Sequence, residues 1–102
     1  MTTYLLAYMG GTMPETEAQQ QEQMAAWGAW FGSLGEAVVD GGNPFNGSLS
    51  VTSAGTSEGA GSGLGGYSLV QADDLAAAAA LAKGCPLVAG GGTVDVYETI
   101  PM

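Results

Sequence analysis

The side chains able to do acid–base chemistry in this chain are carboxylates and phenols. It has no histidine and no arginine, and Lys83 is the single cation against ten Asp and Glu residues. Histidine is the one side chain that ordinarily titrates near neutral pH, and arginine is the usual fork for carboxylate and phosphate groups. Without them most standard hydrolase, transferase and nucleic-acid sites cannot be built. The candidates that remain are Asp40, Asp95 and Tyr97. Asp40 stands beside Gly41-Gly42, where a loop at a strand end would let a ligand approach the backbone. The same aspartate could instead tighten its own turn, and Asn43 carries the same two readings. Asp95 and Tyr97 stand two residues apart in an alternating segment and so share one strand face. Lining an apolar cleft, the pair would place a general acid beside a phenol. Otherwise they are an edge carboxylate and a core or interface tyrosine.

Other polar and aromatic residues read more simply. Glu22 falls off the apolar stripe of its segment and is expected in solvent. Glu98 has the opposite parity to Asp95 and is expected to face water unless it meets Lys83. Trp27, Trp30 and Phe31 could stack on a flat ligand, but their helical spacing suits core or interface anchors. Cys85 is the only cysteine, so neither an intrachain disulfide nor a cysteine-rich metal site can form. It follows a predicted helix C-terminus and has no histidine to activate it, which suits a buried structural thiol. The acids form no ligand-spaced cluster, so no metal is expected. Neither 59–66 nor Gly90-Gly91-Gly92 has the lysine or the strand–glycine–helix setting of a phosphate loop, so no cofactor is expected.

The elements that must position these groups follow from periodicity. The 102 residues suit a single domain. Thr3 to Met9, apolar on both faces, without a basic residue before it and ended by Gly10-Gly11, reads as a central strand rather than a signal peptide. Pro14 and Glu15 open a helix with Thr12 or Met13 near its cap, running from Glu15 to about Leu34 on the stripe Met24, Trp27, Phe31 and Leu34. Gly28 and Gly32 weaken it, so packing of its aromatic face must hold it. Ala37 to Asp40 is a short strand closed by a Gly-Gly-Asn-Pro turn, and Ser48 to Ser53 alternates like a strand with one wet face. The glycine-rich stretch 55–66 reads as a loose loop, and Tyr67 to Gln71 as a strand. Asp73 or Asp74 caps an alanine-rich helix from Leu75 to Lys83, stopped by Gly84 and Pro86, before a last strand from Thr93 to Ile100. Two right-handed crossovers then put both helices on one face of an antiparallel sheet, an α+β, ferredoxin-like sandwich. Tyr4, Tyr8, Tyr67, Leu69 and Tyr97 cannot all lie beneath helices whose inner face is mostly alanine. A second subunit covering the open sheet face is therefore expected, giving a twofold homodimer.

In this order the chain resembles the YCII-related domain family. The resemblance is carried by Tyr4-Leu-Leu-Ala-Tyr8, Met24-Ala-Ala-Trp27 with Trp30-Phe31, and Gly35 followed by Val39-Asp-Gly-Gly-Asn-Pro44. It continues through Gly65-Gly-Tyr-Ser-Leu-Val70, Leu81-Ala-Lys-Gly-Cys-Pro86 and Thr93-Val-Asp-Val-Tyr97. It implies a dimeric ferredoxin-like α/β barrel, and for some members a His–Asp pair in the cleft. Asp40 matches the aspartate, whereas Gln20-Gln-Glu-Gln-Met24 stands where the histidine would be. Another branch carries Asp-Gly-Pro-Phe before the Gly-Gly-Tyr strand, and this chain has Gly59-Ala-Gly-Ser-Gly-Leu64 there.

The resulting expectation is a homodimer with an apolar, tyrosine-lined cleft that binds a small, neutral or weakly polar organic molecule through Tyr8, Asp40, Asn43, Tyr67 and Tyr97. One alternative is a lyase, isomerase or hydrolase without histidine, using Asp40 or Asp95 as base and a tyrosine as donor. The other is a structural subunit whose cleft is filled. The net charge of −9 opposes binding to nucleic acid or to anionic membranes. No apolar run approaches the roughly 18 residues of a membrane span. The lone cysteine suits a cytoplasmic location.

Overall fold

A computed structural model describes residues 1–10, 15–59 and 63–101 of the chain. Its centre is strand β1, Thr2–Met9, whose alternate residues Tyr4, Leu6 and Tyr8 are buried on one face. β1 pairs antiparallel on one side with β5, Leu64–Ala72, and on the other with β6, Thr93–Glu98. Strand β2, Val38–Asp40, completes the sheet beside β5, giving the order β2-β5-β1-β6. β1 and β2 therefore run parallel with β5 between them, and β5 and β6 run parallel with β1 between them. Each parallel pair is bridged by helix, which is the split βαβ arrangement of a ferredoxin-like fold.

The first bridge is α1, Glu17–Leu34. It begins two residues later than the sequence pattern indicates, because a capping box fixes its start. Thr16 Oγ1 accepts the Gln19 N–H at 3.1 Å, while Gln19 Oε1 accepts the Thr16 N–H at 3.3 Å. The cap expected at Thr12 or Met13, and Pro14, lie outside the described residues. The stripe is also displaced toward the C-terminus. Trp30 is the buried residue, Trp27, Phe31 and Leu34 are half-buried, and Met24 is 74% exposed. Residues 17–26 are exposed throughout, so the helix buries side-chain surface mainly from Trp27 onward.

The second bridge is α2, Leu75–Ala82, capped by Asp74, whose Oδ1 accepts the Ala77 N–H at 2.7 Å. Ala78 and Ala82 are buried, and their small size lets the helix lie close to the sheet. The indole of Trp30 crosses to this bridge and donates to the Leu81 carbonyl at 3.1 Å. It rests on the backbone of Gly84, where a Cβ would sit 3.2 Å from the ring. Pro86 stops α2 as expected but also opens a further single turn, α3, Pro86–Ala89, since proline needs no N–H at a first helical position.

The single sheet expected from sequence is accompanied by a separate ribbon. β3, Leu49–Thr52, pairs with β4, Gly55–Glu58, so the glycine-rich stretch 55–66 is not a loop throughout. Its first four residues are β4 and its last three begin β5. Leu49 and Val51 share one face of the ribbon and are 64% and 73% exposed, so β3 has no covered face.

The tyrosines divide between the two sheet faces. Tyr4 and Tyr8 join Leu6, Val70, Ala72, Trp30 and Cys85 in the core beneath the helices. Tyr67, Leu69, Leu5 and Met9 are half-buried on the opposite face, with Tyr97 and Val39 more exposed beside them. The Cα radius of gyration is 14.9 Å, against about 13 Å for a compact domain of this length.

Candidate functional site

The chain from Gly41 to Phe45 folds back along the start of β5. Phe45 N–H bonds to the Gly65 carbonyl at 2.8 Å and Tyr67 N–H to the Asn43 carbonyl at 3.3 Å. The return is so close that only glycine is tolerated at position 42. Its φ is +72°, and a Cβ there would overlap the carbonyl of Tyr67. Asp40 serves this turn, its Oδ1 accepting the Gly42 N–H at 2.8 Å. Of the two readings open for Asp40, the turn role is the one its geometry realises.

Between this loop, the adjoining ends of β1 and β5, α3 and the inner face of α1 lies a cavity of about 540 Å³. Its walls are mainly apolar: Trp27 and Phe31 from α1, the Tyr8 ring, and Leu87. The rings contact one another, Tyr8 meeting Trp27 edge-on at 5.1 Å between centroids and Trp27 lying 5.9 Å from Phe31. Polar groups are few. Gln23 and Asn43 contribute to the lining, and at the floor the Tyr8 hydroxyl donates to Ser68 Oγ at 2.7 Å. Ser68, fully buried, in turn donates to the Gly41 carbonyl at 2.7 Å. Burial pushes the Tyr8 phenol up to about 12, with the Ser68 bond opposing and the nearby Cys85 adding to the rise. Tyr8 is therefore a neutral phenol at physiological pH.

Three of the five ligand-contact candidates, Tyr8, Asn43 and Tyr67, lie at this cavity. The Tyr67 ring stacks on Phe45 at 5.9 Å, while its strand segment forms part of the wall. Asp40 is bound to its turn. Tyr97 is on the far face of the sheet at the β6 edge, 55% exposed. Asp95 shares that face, opposite Ala7. Since β2 and β6 are the two edge strands, Asp40 and Asp95 are separated by three strand spacings, about 14 Å at about 4.8 Å each. They do not meet within one subunit, and neither lines the cavity. Glu98, expected in solvent, is exposed, and its Oε1 accepts the Tyr4 hydroxyl at 3.4 Å. Cys85 is buried, and burial pushes its thiol up although the α3 amides of Leu87 and Val88 pull the other way.

Sequence reasoning missed Ser68. Its signal was available: Gly66, Ser68, Val70 and Ala72 share the core-facing parity of β5, which makes Ser68 the one hydroxyl on an otherwise apolar or small face. Trp27 and Phe31, whose spacing admits either stacking on a ligand or anchoring, both pack against the core and line the cavity. Among the described residues, no group of three or more His, Cys, Asp or Glu side chains is placed to hold a metal ion. None of the described helices is long and apolar enough to cross a membrane.

No curated protein and no solved structure matches the chain. A family model does, over residues 4–102, which takes in every strand and helix described above except the first two residues of β1. That span and the split βαβ sheet agree with the resemblance carried by the sequence motifs, and the chain belongs to the YCII-related domain family.

Proposed function

We propose that the protein binds a small, neutral, largely apolar organic molecule in the cavity between α1 and the sheet. The observation that carries this reading is a cavity of about 540 Å³ walled by Tyr8, Trp27, Phe31 and Leu87, with few polar groups and no Asp, Glu or Lys among its described lining residues. That is the size and character of ordinary small-molecule sites. This cavity lies within one subunit beneath α1, whereas the cleft expected from sequence lies between two subunits. An Asp–Tyr acid–base pair has less support: Asp40 is engaged by Gly42 and Asp95 faces away from the cavity.

The reading includes a cytoplasmic homodimer formed through the open sheet face. In support, that face gathers Leu5, Met9, Tyr67, Leu69, Val39 and Tyr97, an apolar surface that a monomer would leave wet. Thermal-shift titration with neutral aromatic and aliphatic compounds tests the binding reading. Ligands present well above their Kd raise the melting temperature by mass action, and uniformly absent shifts would sink it. Sedimentation of wild type and Leu69→Lys tests the dimer, which the substitution should dissociate; a monomeric wild type at micromolar concentration would refute it.

A further inference from the structure

The hydrogen-bond chain at the cavity floor has only one possible direction. The Gly41 carbonyl has no proton to give, so the 2.7 Å contact with Ser68 Oγ consumes the only proton of Ser68. The 2.7 Å contact between Ser68 and Tyr8 must then consume the only proton of Tyr8. Both side chains are buried, at 0% and 9% exposure, so bulk water does not freely reorganise the chain. What remains at the floor is acceptor capacity, the lone pairs of the Tyr8 hydroxyl.

Resting on the binding reading above, we infer that the cavity selects neutral ring compounds carrying a hydroxyl or N–H donor, which bond to the Tyr8 oxygen. A ligand that meets the Tyr8 oxygen with only an ether or carbonyl oxygen would set one acceptor against another beside the buried Ser68, where an unmatched polar group is costly. Size and charge narrow the class further. A dry cavity of about 150 Å³ holds benzene, so about 540 Å³ has room for two fused rings or more. The net charge of −9 and the carboxylate-free, lysine-free lining disfavour both anions and a specifically paired cation.

Calorimetric titration with 2-naphthol and 2-methoxynaphthalene separates the outcomes, because the two share a ring system and differ in the donor. Wild type should bind 2-naphthol about tenfold more tightly, the worth of one neutral hydrogen bond. Ser68→Ala releases the Tyr8 proton, so the preference should fall to within about twofold or reverse in favour of the ether. Circular dichroism establishes that the variant folds, and if it does not, the wild-type ratio alone decides. Equal or tighter binding of the ether by wild type overturns the donor inference and leaves the binding reading standing. Failure of both compounds to bind overturns the binding reading, and the donor inference with it.

Discussion

Replacing Trp30 with alanine removes the one buried side chain of α1 and with it the main tie between the helix and the rest of the domain. The indole is 6% exposed, lies 4.9 Å from the Phe31 ring and 5.7 Å from Trp27, and bonds through Nε1 to the Leu81 carbonyl. Aromatic-to-alanine truncations in cores cost about 3–5 kcal/mol. Losing the hydrogen bond adds about 1 kcal/mol, which places Trp30→Ala at the upper end, about 4–5 kcal/mol. At about 4–8 °C per kcal/mol for a domain of this size, the melting temperature should drop by about 15–40 °C. Trp30→Phe keeps most of the ring and loses the N–H, so it should cost about 1–2 kcal/mol. Met24→Ala, at a 74% exposed position, should stay within about 0.5 kcal/mol of wild type. Urea unfolding followed by circular dichroism, with slopes compared to confirm two-state behaviour, measures all three. A loss below about 2 kcal/mol for Trp30→Ala, or a larger loss for Met24→Ala, would refute the placement of α1.

The Tyr8 phenol, raised from 10 to about 12, binds its proton more tightly in the folded state, so its contribution is full below pH 10 and is lost as pH rises toward 12. Wild type should therefore lose about 2 kcal/mol more than Tyr8→Phe by pH 12, where the folded-state phenol is half ionised, and parallel urea midpoints from pH 9 to 12 would contradict it. Gly42→Ala should cost more than about 2 kcal/mol, since a Cβ at φ +72° overlaps the Tyr67 carbonyl, or should yield insoluble protein. Gly28→Ala, mid-helix with no atom within 4 Å of the added Cβ, should stabilise by about 1 kcal/mol in the same titration; a loss would mean that this face of α1 is covered.

Local patterns carried most of the fold and little of the site. Asp74 before an alanine run is a cap at sequence level, and the structure uses it as one. The start of α1 was obscured because two signals compete: Pro14-Glu15 favours an early start, whereas Thr16 and Gln19 form the capping box actually made. β4 was hidden for a different reason. Gly55 to Glu58 has no apolar alternation, and its strand state comes from pairing with β3 across the turn at Ser53-Ala54. The cavity depends on still longer-range facts. Period two puts Tyr8 and Ser68 on the core face, but that their hydroxyls meet follows from the β1–β5 register, in which Tyr8 lies opposite Gly66 and Leu6 opposite Ser68. That Ser68 then finds Gly41 follows from the backbone path after β2, which no property of residue 68 encodes. For Asp40, by contrast, both readings needed only the neighbouring glycines, and the contact two residues away is the one realised.

The absence of histidine takes a definite chemical form at this cavity. Among its described lining residues the one ionisable side chain on the core face is Tyr8, since Tyr67 contributes its strand segment and turns its ring to Phe45. Tyr8, at the floor, holds its proton to about pH 12 and has already committed it to Ser68. General acid–base work at neutral pH favours a group that titrates near the operating pH and whose proton is free to move toward the substrate. The Tyr8–Ser68–Gly41 chain points its protons the other way, into the backbone of the loop after β2. Gln23 and Asn43 at the lining can hydrogen-bond but do not titrate. A site so composed keeps one pattern of charge and hydrogen bonding across the physiological range, which suits recognition of a neutral molecule. The same fixed pattern is why a single substitution, Ser68→Ala, should change which molecules the cavity prefers while leaving its apolar walls in place.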